Sequence, residues 1–218
     1  MSLLLGIDLG TSAVKALLFD LPAGSTLAHA SVEHPASSPS PGWSEQNPRD
    51  WWSAASGAIR QVLARVGPGD AARIGAIGLS GQMHGSVLLP RDAADLPARA
   101  AEGGEVVRPA ILWNDQRTAR ECAEIEAAVG GRSALVPVTG NAALTGFTAP
   151  KLLWVRRHEP AAWARVGTLL LPKDYLRWRL TGTLATDAGD ASGTLLFDLD
   201  RRAWASDLAR ALGIDPSL

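Results

Sequence analysis

The 218-residue chain is poor in several things, and each shortage narrows what it can be. A single cysteine, Cys122, excludes an internal disulfide framework and favours a reducing, cytoplasmic setting. It falls in the helical pattern ARECAEIEAAV and reads as a small packed side chain rather than a nucleophile. Neither sign of charge is in excess. With 21 Lys+Arg against 22 Asp+Glu the formal net charge is −1, which gives no electrostatic reason to expect nucleic acid or an anionic membrane as a partner. No apolar run is long enough to span a bilayer, and the opening MSLLLGIDLG is too short in its apolar stretch and too poor in basic residues for a signal peptide. Lysine is confined to Lys15, Lys151 and Lys173. Also missing are G-x-x-x-x-G-K-[ST], a protein-kinase glycine loop and H-R-D, so any nucleotide must be held on another scaffold.

What is present suits one large domain with a buried core: 46% of residues are hydrophobic and 20% charged. Residues 3–7 form a short apolar run that ends in the turn signal Asp8-Leu9-Gly10-Thr11. Residues 14–19 and 27–32 follow as two more, predicting a three-stranded antiparallel meander. Asn47-Pro48-Arg49-Asp50 is a helix start, with Asn as cap, Pro at the first position and an acid in the first turn. Trp51, Ala55, Ile59, Val62 and Val66 then recur at helical spacing until Gly67-Pro68-Gly69 stops them. A buried strand is predicted at 74–79, with further strands at 87–89 and 110–113 and a polar, Ala/Gly-rich excursion at 91–105. Helices are predicted at 118–129, at 148–158 with Thr148 as cap, at 172–180 and at 201–212, with a loop and an apolar segment at 186–197. Meander, helix, strand, then mixed elements argue for a layered α/β domain. The eight tryptophans are spread along the chain, most of them as packing, with one or two able to face a ligand.

Three short segments carry polar groups suited to chemistry. In Ile7-Asp8-Leu9-Gly10-Thr11-Ser12-Ala13-Val14-Lys15 an acid at a strand end is followed by a glycine that lets backbone approach an anion, and by two hydroxyls. Such a turn suits a nucleotide phosphate, with Asp8 directing Mg²⁺ or its water shell. Asp and Gly are equally the residues of an ordinary hairpin, and spacing alone does not choose. Gly81-Gln82-Met83-His84-Gly85 leaves a strand at the sheet edge where ligands collect, with neutral directional groups of the kind that recognise a polyol; a lone His that caps local backbone is the plainer reading. In Trp113-Asn114-Asp115-Gln116-Arg117, Trp113 and Asp115 are candidates to face a ligand, and Arg117 to be structural.

These segments resemble those of a known family. I-D-L-G-T-S-A-V-K, W-S-E-Q-N-P, G-Q-M-H-G, A-I-L-W-N-D-Q-R, T-G-F-T-A-P-K-L-L-W-V, L-P-K-D-Y-L and T-D-A-G-D-A-S-G-T occur in that order across nearly the whole chain. The series is similar to that of the xylulokinases of the FGGY carbohydrate-kinase family. The resemblance implies an actin-like, ribonuclease-H-type fold, a mixed sheet flanked by helices, in two domains that face a cleft. It further implies ATP-dependent phosphorylation of D-xylulose at its 5-hydroxyl. On it, Asp8 serves the Mg·ATP phosphates, and Gly10, Thr11, Ser12 and Lys15 belong to the phosphate loop. Gln82, Met83 and His84 contact the sugar. Trp113, Asp115 and the 186–194 segment, with Asp187 and Asp190, wall the same pocket. The family's general base is an Asp in a G-G-G-D-N-A-type segment. The 218 residues contain Ala188-Gly189-Asp190-Ala191 but no such segment. The expectation is therefore an N-terminal sugar-binding half, without the C-terminal nucleotide-binding domain, that binds sugar weakly and does not turn over alone. A kinase of ribulose, glycerol or gluconate and a non-catalytic sugar-binding fragment are the alternatives, and a homodimer is left open. A two-metal nuclease of the same fold class is disfavoured for want of clustered carboxylates and a cationic surface.

Overall fold

Alternation builds the first layer. In the computed structural model, which describes residues 3–91 and 106–218, strand β1 (Leu3–Leu9) buries Leu3, Leu5, Ile7 and Leu9 and turns Leu4, Gly6 and Asp8 to the opposite face. Strands β2 (Ala13–Asp20) and β3 (Ser25–Glu33) complete the antiparallel meander and bury Val14, Ala16, Leu18, Ala28 and Ala30 on the same side. After a two-residue strand β4 (Glu45–Gln46), helix α1 (Pro48–Ala64) begins as the sequence predicts: the Asn47 side chain accepts from the Arg49 N–H, and Pro48 opens the first turn. Trp51, Ala54, Ala55, Ala58 and Val62 press its apolar stripe onto the sheet. Pro68 does more than end this pattern, for it starts a one-turn helix α2 (Pro68–Ala71).

Strand β5 (Ile74–Gly81) then lies parallel to β1, giving the order β3-β2-β1-β5. It is not the buried strand the sequence predicts. Most of its residues are exposed, because it is an edge strand of small residues (Gly75, Ala76, Gly78), and no described element covers the face that carries Leu4, Leu17 and Gly78.

The second layer is assembled around a separate apolar cluster. Strands β6 (Val87–Pro90) and β7 (Ala110–Ile111) are followed by helices α3 (Ala119–Ala128), α4 (Arg132–Thr139), α5 (Thr148–His158) and α6 (Pro160–Trp163), and by β8 (Val166–Leu170), which pairs with β6. Helix α4 was not predicted: Pro137 and the Gly130-Gly131 pair interrupt its apolar period. Thr148 does not cap α5; Phe147 occupies that position, and the Thr148 hydroxyl is spent elsewhere. Helix α7 (Pro172–Thr181) ends at a left-handed Gly182 and returns Tyr175, Leu176 and Trp178 to the first core. The last elements are a short helix α8 (Ala188–Ser192), the pair β9 (Phe197–Asp198) and β10 (Ala203–Trp204), and α9 (Ser206–Ala211). The predicted helix at 201–212 is thus a helix only over Ser206–Ala211, preceded by the two-residue strand β10. Of the predicted excursion at 91–105, all but Arg91 lies outside the described residues. No helix of the described residues is long and apolar enough to cross a membrane.

Candidate active site

The parallel pairing of β1 and β5 sets Asp8 opposite Ser80 and Leu9 opposite Gly81, so the turns that follow the two strands are neighbours. The Gln82 N–H donates to the Leu9 carbonyl at 2.7 Å and extends that pairing into the second turn.

The first turn is a regular hairpin. The Gly10 N–H donates to the Ala13 carbonyl at 3.0 Å, and Lys15 lies across from Asp8 on the paired strand. Among the described residues neither the Asp8 carboxylate nor the Lys15 ammonium has a hydrogen-bond or ion-pair partner, and Ser12 is exposed. Two side chains absent from the sequence reading brace the turn from behind. His34 Nε2 lies 3.2 Å from the Gly10 carbonyl, and Gln46 Nε2 donates to the Thr11 carbonyl at 2.6 Å. Gln46 also joins the two turns, since its Oε1 accepts from Gln82 Nε2 at 2.9 Å and from Trp51 Nε1 at 2.8 Å. Gln46 falls in the W-S-E-Q-N-P segment, directly before the Asn47 cap, and that placement is the local signal for it.

The second turn is strained. His84 has φ 61°, in the left-handed region that a non-glycine residue rarely adopts, and the Gly85 N–H closes the turn onto the Met83 carbonyl at 2.8 Å. A Cβ on Gly85 would stand 2.6 Å from Pro172 Cγ, so only glycine fits there. The His84 ring rests edge-on against Phe147, with centroids 4.8 Å apart, and over Gly193, where any Cβ would collide with its Cε1 and Nδ1. Burial, and then the nearby Lys151, hold the imidazole below its ordinary pKa, against the opposite pull of Asp190 and the Gly193 backbone. The ring is therefore neutral at pH 7. Its Nδ1 is buried and without a partner among the described residues. Met83 is 51% exposed beside it, whereas Gln82 is buried with its Oε1 unpartnered.

Trp113 is 44% exposed, and its Nε1–H donates to Thr11 Oγ1 at 3.3 Å, which places it at the first turn. Asp115 does not face a cleft. It is fully buried, and its oxygens accept from the Ser44 N–H at 2.6 Å, from the Arg117 N–H at 2.9 Å and from the Arg117 guanidinium at 2.7 Å. The guanidinium is itself stacked 3.7 Å over the Trp43 ring. Asp115 thus supports the wall from behind, and Arg117 is structural as the sequence suggests.

Asp187 and Asp190 are bound by Lys173, whose Nζ lies 2.7 and 3.0 Å from them and 2.9 Å from Asp174. Burial opposes the charge on Lys173, but these three carboxylates raise its pKa above the ordinary value, and the lysine in turn lowers that of Asp187. The cluster fixes α8, and with it Gly193, beneath His84. Among the described residues no group of three His, Cys, Asp or Glu side chains could hold a metal ion. An open groove of ≈ 660 Å³ borders the first turn, lined by Asp8, Lys15, Leu17, Gly78 and Ser80 among others.

Comparison with known proteins gives the chain a family. The model of the N-terminal domain of the FGGY family of carbohydrate kinases matches residues 3–218. A xylulose kinase of Klebsiella pneumoniae is 45% identical over 208 residues, which are 95% of this chain and 39% of that protein. Among solved structures, one described as a xyloylose kinase from Brucella ovis matches with TM-score 0.86 and 44% identity, covering 99% of this chain and 42% of its own. A xylulose kinase from Rhodospirillum rubrum matches with TM-score 0.88 and 32% identity over 99% and 41%. The chain therefore spans about two fifths of the length of the relatives it matches.

Proposed function

The chain belongs to the FGGY family of carbohydrate kinases, and from that membership we propose that it is the sugar-binding half of an ATP-dependent kinase that phosphorylates D-xylulose on its 5-hydroxyl. The observation that carries the reading is the coupling of two unlike turns at adjacent parallel strand ends: one with a free carboxylate and ammonium, the other presenting a neutral imidazole, tied through Gln46. The substrate is inferred from the xylulose kinases to which the chain is 32–45% identical.

Phosphoryl transfer needs the hydroxyl held in line with the γ-phosphate, the charge spread and the proton accepted. His84 and Met83 position the sugar, with Gln82 shaping the turn that carries them. Thr11, Ser12, Gly10 and Lys15 border the polyphosphate, and Asp8 supplies a hard oxygen for a Mg²⁺ ion or its water shell. One carboxylate does not make a cation site, so such an ion is one that ATP oxygens mostly ligate. When bound, it neutralises charge on the transferring group. The general base and the adenine site are assigned to a second, nucleotide-binding domain outside these 218 residues. Asp190 is no substitute while Lys173 holds it.

The test is calorimetry of the 218-residue chain with D-xylulose, D-ribulose, glycerol and gluconate, together with a coupled assay of ATP consumption. D-Xylulose binding that weakens about tenfold in His84→Ala, without sugar-dependent ATP consumption, is expected. Tighter binding of another polyol would reassign the substrate. Turnover abolished by Asp8→Ala would show that one half suffices.

A further inference from the structure

Lys151, on the first turns of α5, is fully buried, yet no carboxylate of the described residues lies within ion-pair distance of it. An interior cation without a counter-ion is costly, and a lysine that only filled space would be better replaced by an apolar side chain. Its Nζ instead donates to two backbone carbonyls, His84 O and Gly146 O, each at 2.7 Å. The Thr148 hydroxyl, one turn earlier on the same helix, donates to the same His84 carbonyl at 3.2 Å. The residue gripped twice is the one whose backbone is in the left-handed region, and such a conformation persists only where its surroundings over-determine it.

The second acceptor extends the grip. Gly146 is pressed onto the 113–118 segment, for a Cβ there would meet the Trp113 carbonyl at 2.5 Å. Thr118 Oγ1 donates to the Thr145 carbonyl next to it. We propose that Lys151 is a positioning residue for the sugar site, clamping the 82–85 turn to the 144–147 loop so that the His84 ring is fixed between Phe147 and Gly193. The proposal rests on the reading of His84 as a sugar contact, but the clamp itself does not. Burial lowers the Lys151 pKa to about 7, with Asp115 pulling it up and Arg117 further down. A neutral amine still carries two hydrogens for the two carbonyls, so the clamp persists when the proton is lost.

The experiment compares wild type with Lys151→Met, which keeps an apolar stem of similar length and removes both donors. In the 218-residue chain, the His84 Cε1–H resonance is followed by ¹H–¹³C correlation NMR, and D-xylulose affinity by calorimetry. The expected result is a displaced or broadened His84 signal, His29 unmoved, and D-xylulose binding weakened about tenfold. A control, Val62→Ala in the first core, lowers stability and leaves both readouts unchanged. A folded Lys151→Met protein with an unmoved His84 signal and wild-type affinity would overturn the proposal. Should Lys151→Met not fold, Lys151→Gln, whose NH₂ falls short of the carbonyls, gives the same displacement of the signal, and an unmoved signal overturns the proposal equally. If the His84 signal moves but wild type itself binds no D-xylulose, the clamp stands and the sugar assignment falls.

Discussion

The turns after β1 and β5 occupy equivalent places at one sheet edge and are built in opposite ways. The turn at 10–13 closes with ordinary backbone: Gly10 bonds Ala13 and no residue in it has a positive φ, while His34, Gln46 and Trp113 reach it from outside. The turn at 82–85 cannot hold itself. Its His84 backbone is in a disfavoured region, its Gly85 has no room for a Cβ, and its carbonyl is gripped by α5 while its ring is held by Phe147 and Gly193. A metal-bound polyphosphate, which brings its own charge and ligands, asks only for donors at the right edge. A sugar is recognised by neutral, directional bonds, and those require a side chain fixed to within fractions of an ångström. If the first turn takes the phosphates and the second the sugar, as proposed, the difference in construction follows the difference in ligand.

The largest effect expected from breaking that contrast comes from Gly193→Ala. The added methyl would occupy the space of the His84 Cε1 and Nδ1, so the ring must leave its position between Phe147 and α8. D-Xylulose affinity should fall about 100-fold, a loss of some ~2.7 kcal/mol, while Lys15 and Thr11 resonances stay in place. Calorimetry and NMR on one sample separate the two turns directly; a proportional change at both would mean that they are one rigid unit.

A smaller contrast is a matched pair of glycine substitutions. Gly85→Ala sets a Cβ 2.6 Å from the Pro172 ring, which α7 holds, and overpacking of that kind costs about 2 kcal/mol. Gly10→Ala approaches only the Ala13 carbonyl, at 3.1 Å and without a positive φ, and should cost about 1 kcal/mol or less. Urea unfolding with a common slope reads the difference. Equal losses would put the strain in both turns and remove the distinction.

The same contrast separates what the sequence disclosed from what it withheld. The Gly10–Ala13 closure and the Asn47-Pro48 helix start are local: each is made by residues within a few positions of itself, and each is where the pattern predicts. The Gly81–Gly85 segment stands out as a motif in the sequence, but what holds it in place does not. Lys151 reaches a carbonyl 67 residues away, and the glycine under the His84 ring is in a segment that reads as loop. Asp115 is buried rather than facing a ligand for the same reason: Ser44, 71 residues earlier, is one of the groups that take its oxygens. A lysine among the apolar residues of Ala-Pro-Lys-Leu-Leu-Trp-Val was the visible oddity, though nothing near it in sequence named its partners. The exposed β5 was misread because an edge strand of Gly and Ala has the composition of a buried one.

A further effect sharpens the comparison through pH, because the second turn is backed by a fully buried amine whose pKa is lowered. Lys151 has its pKa lowered from 10.5 to about 7, first by burial. In the unfolded chain the amine keeps its proton up to the ordinary value, while the folded protein has released it. Between these limits the unfolded state binds more protons, so stability should rise as pH increases above 7, by at most about 1.4 kcal/mol per pH unit. The useful window closes near pH 9. There the Cys122 thiol, raised from 9.0 to about 11 chiefly by burial, begins to act in the opposite sense, since the unfolded thiol ionises before the folded one. Urea midpoints at pH 7, 8 and 9 should therefore climb in wild type relative to Lys151→Met, in which that contribution is missing. Parallel midpoints in the two proteins would mean that the lysine keeps its proton when folded, and that the 82–85 turn is held by a full cation rather than by a neutral amine.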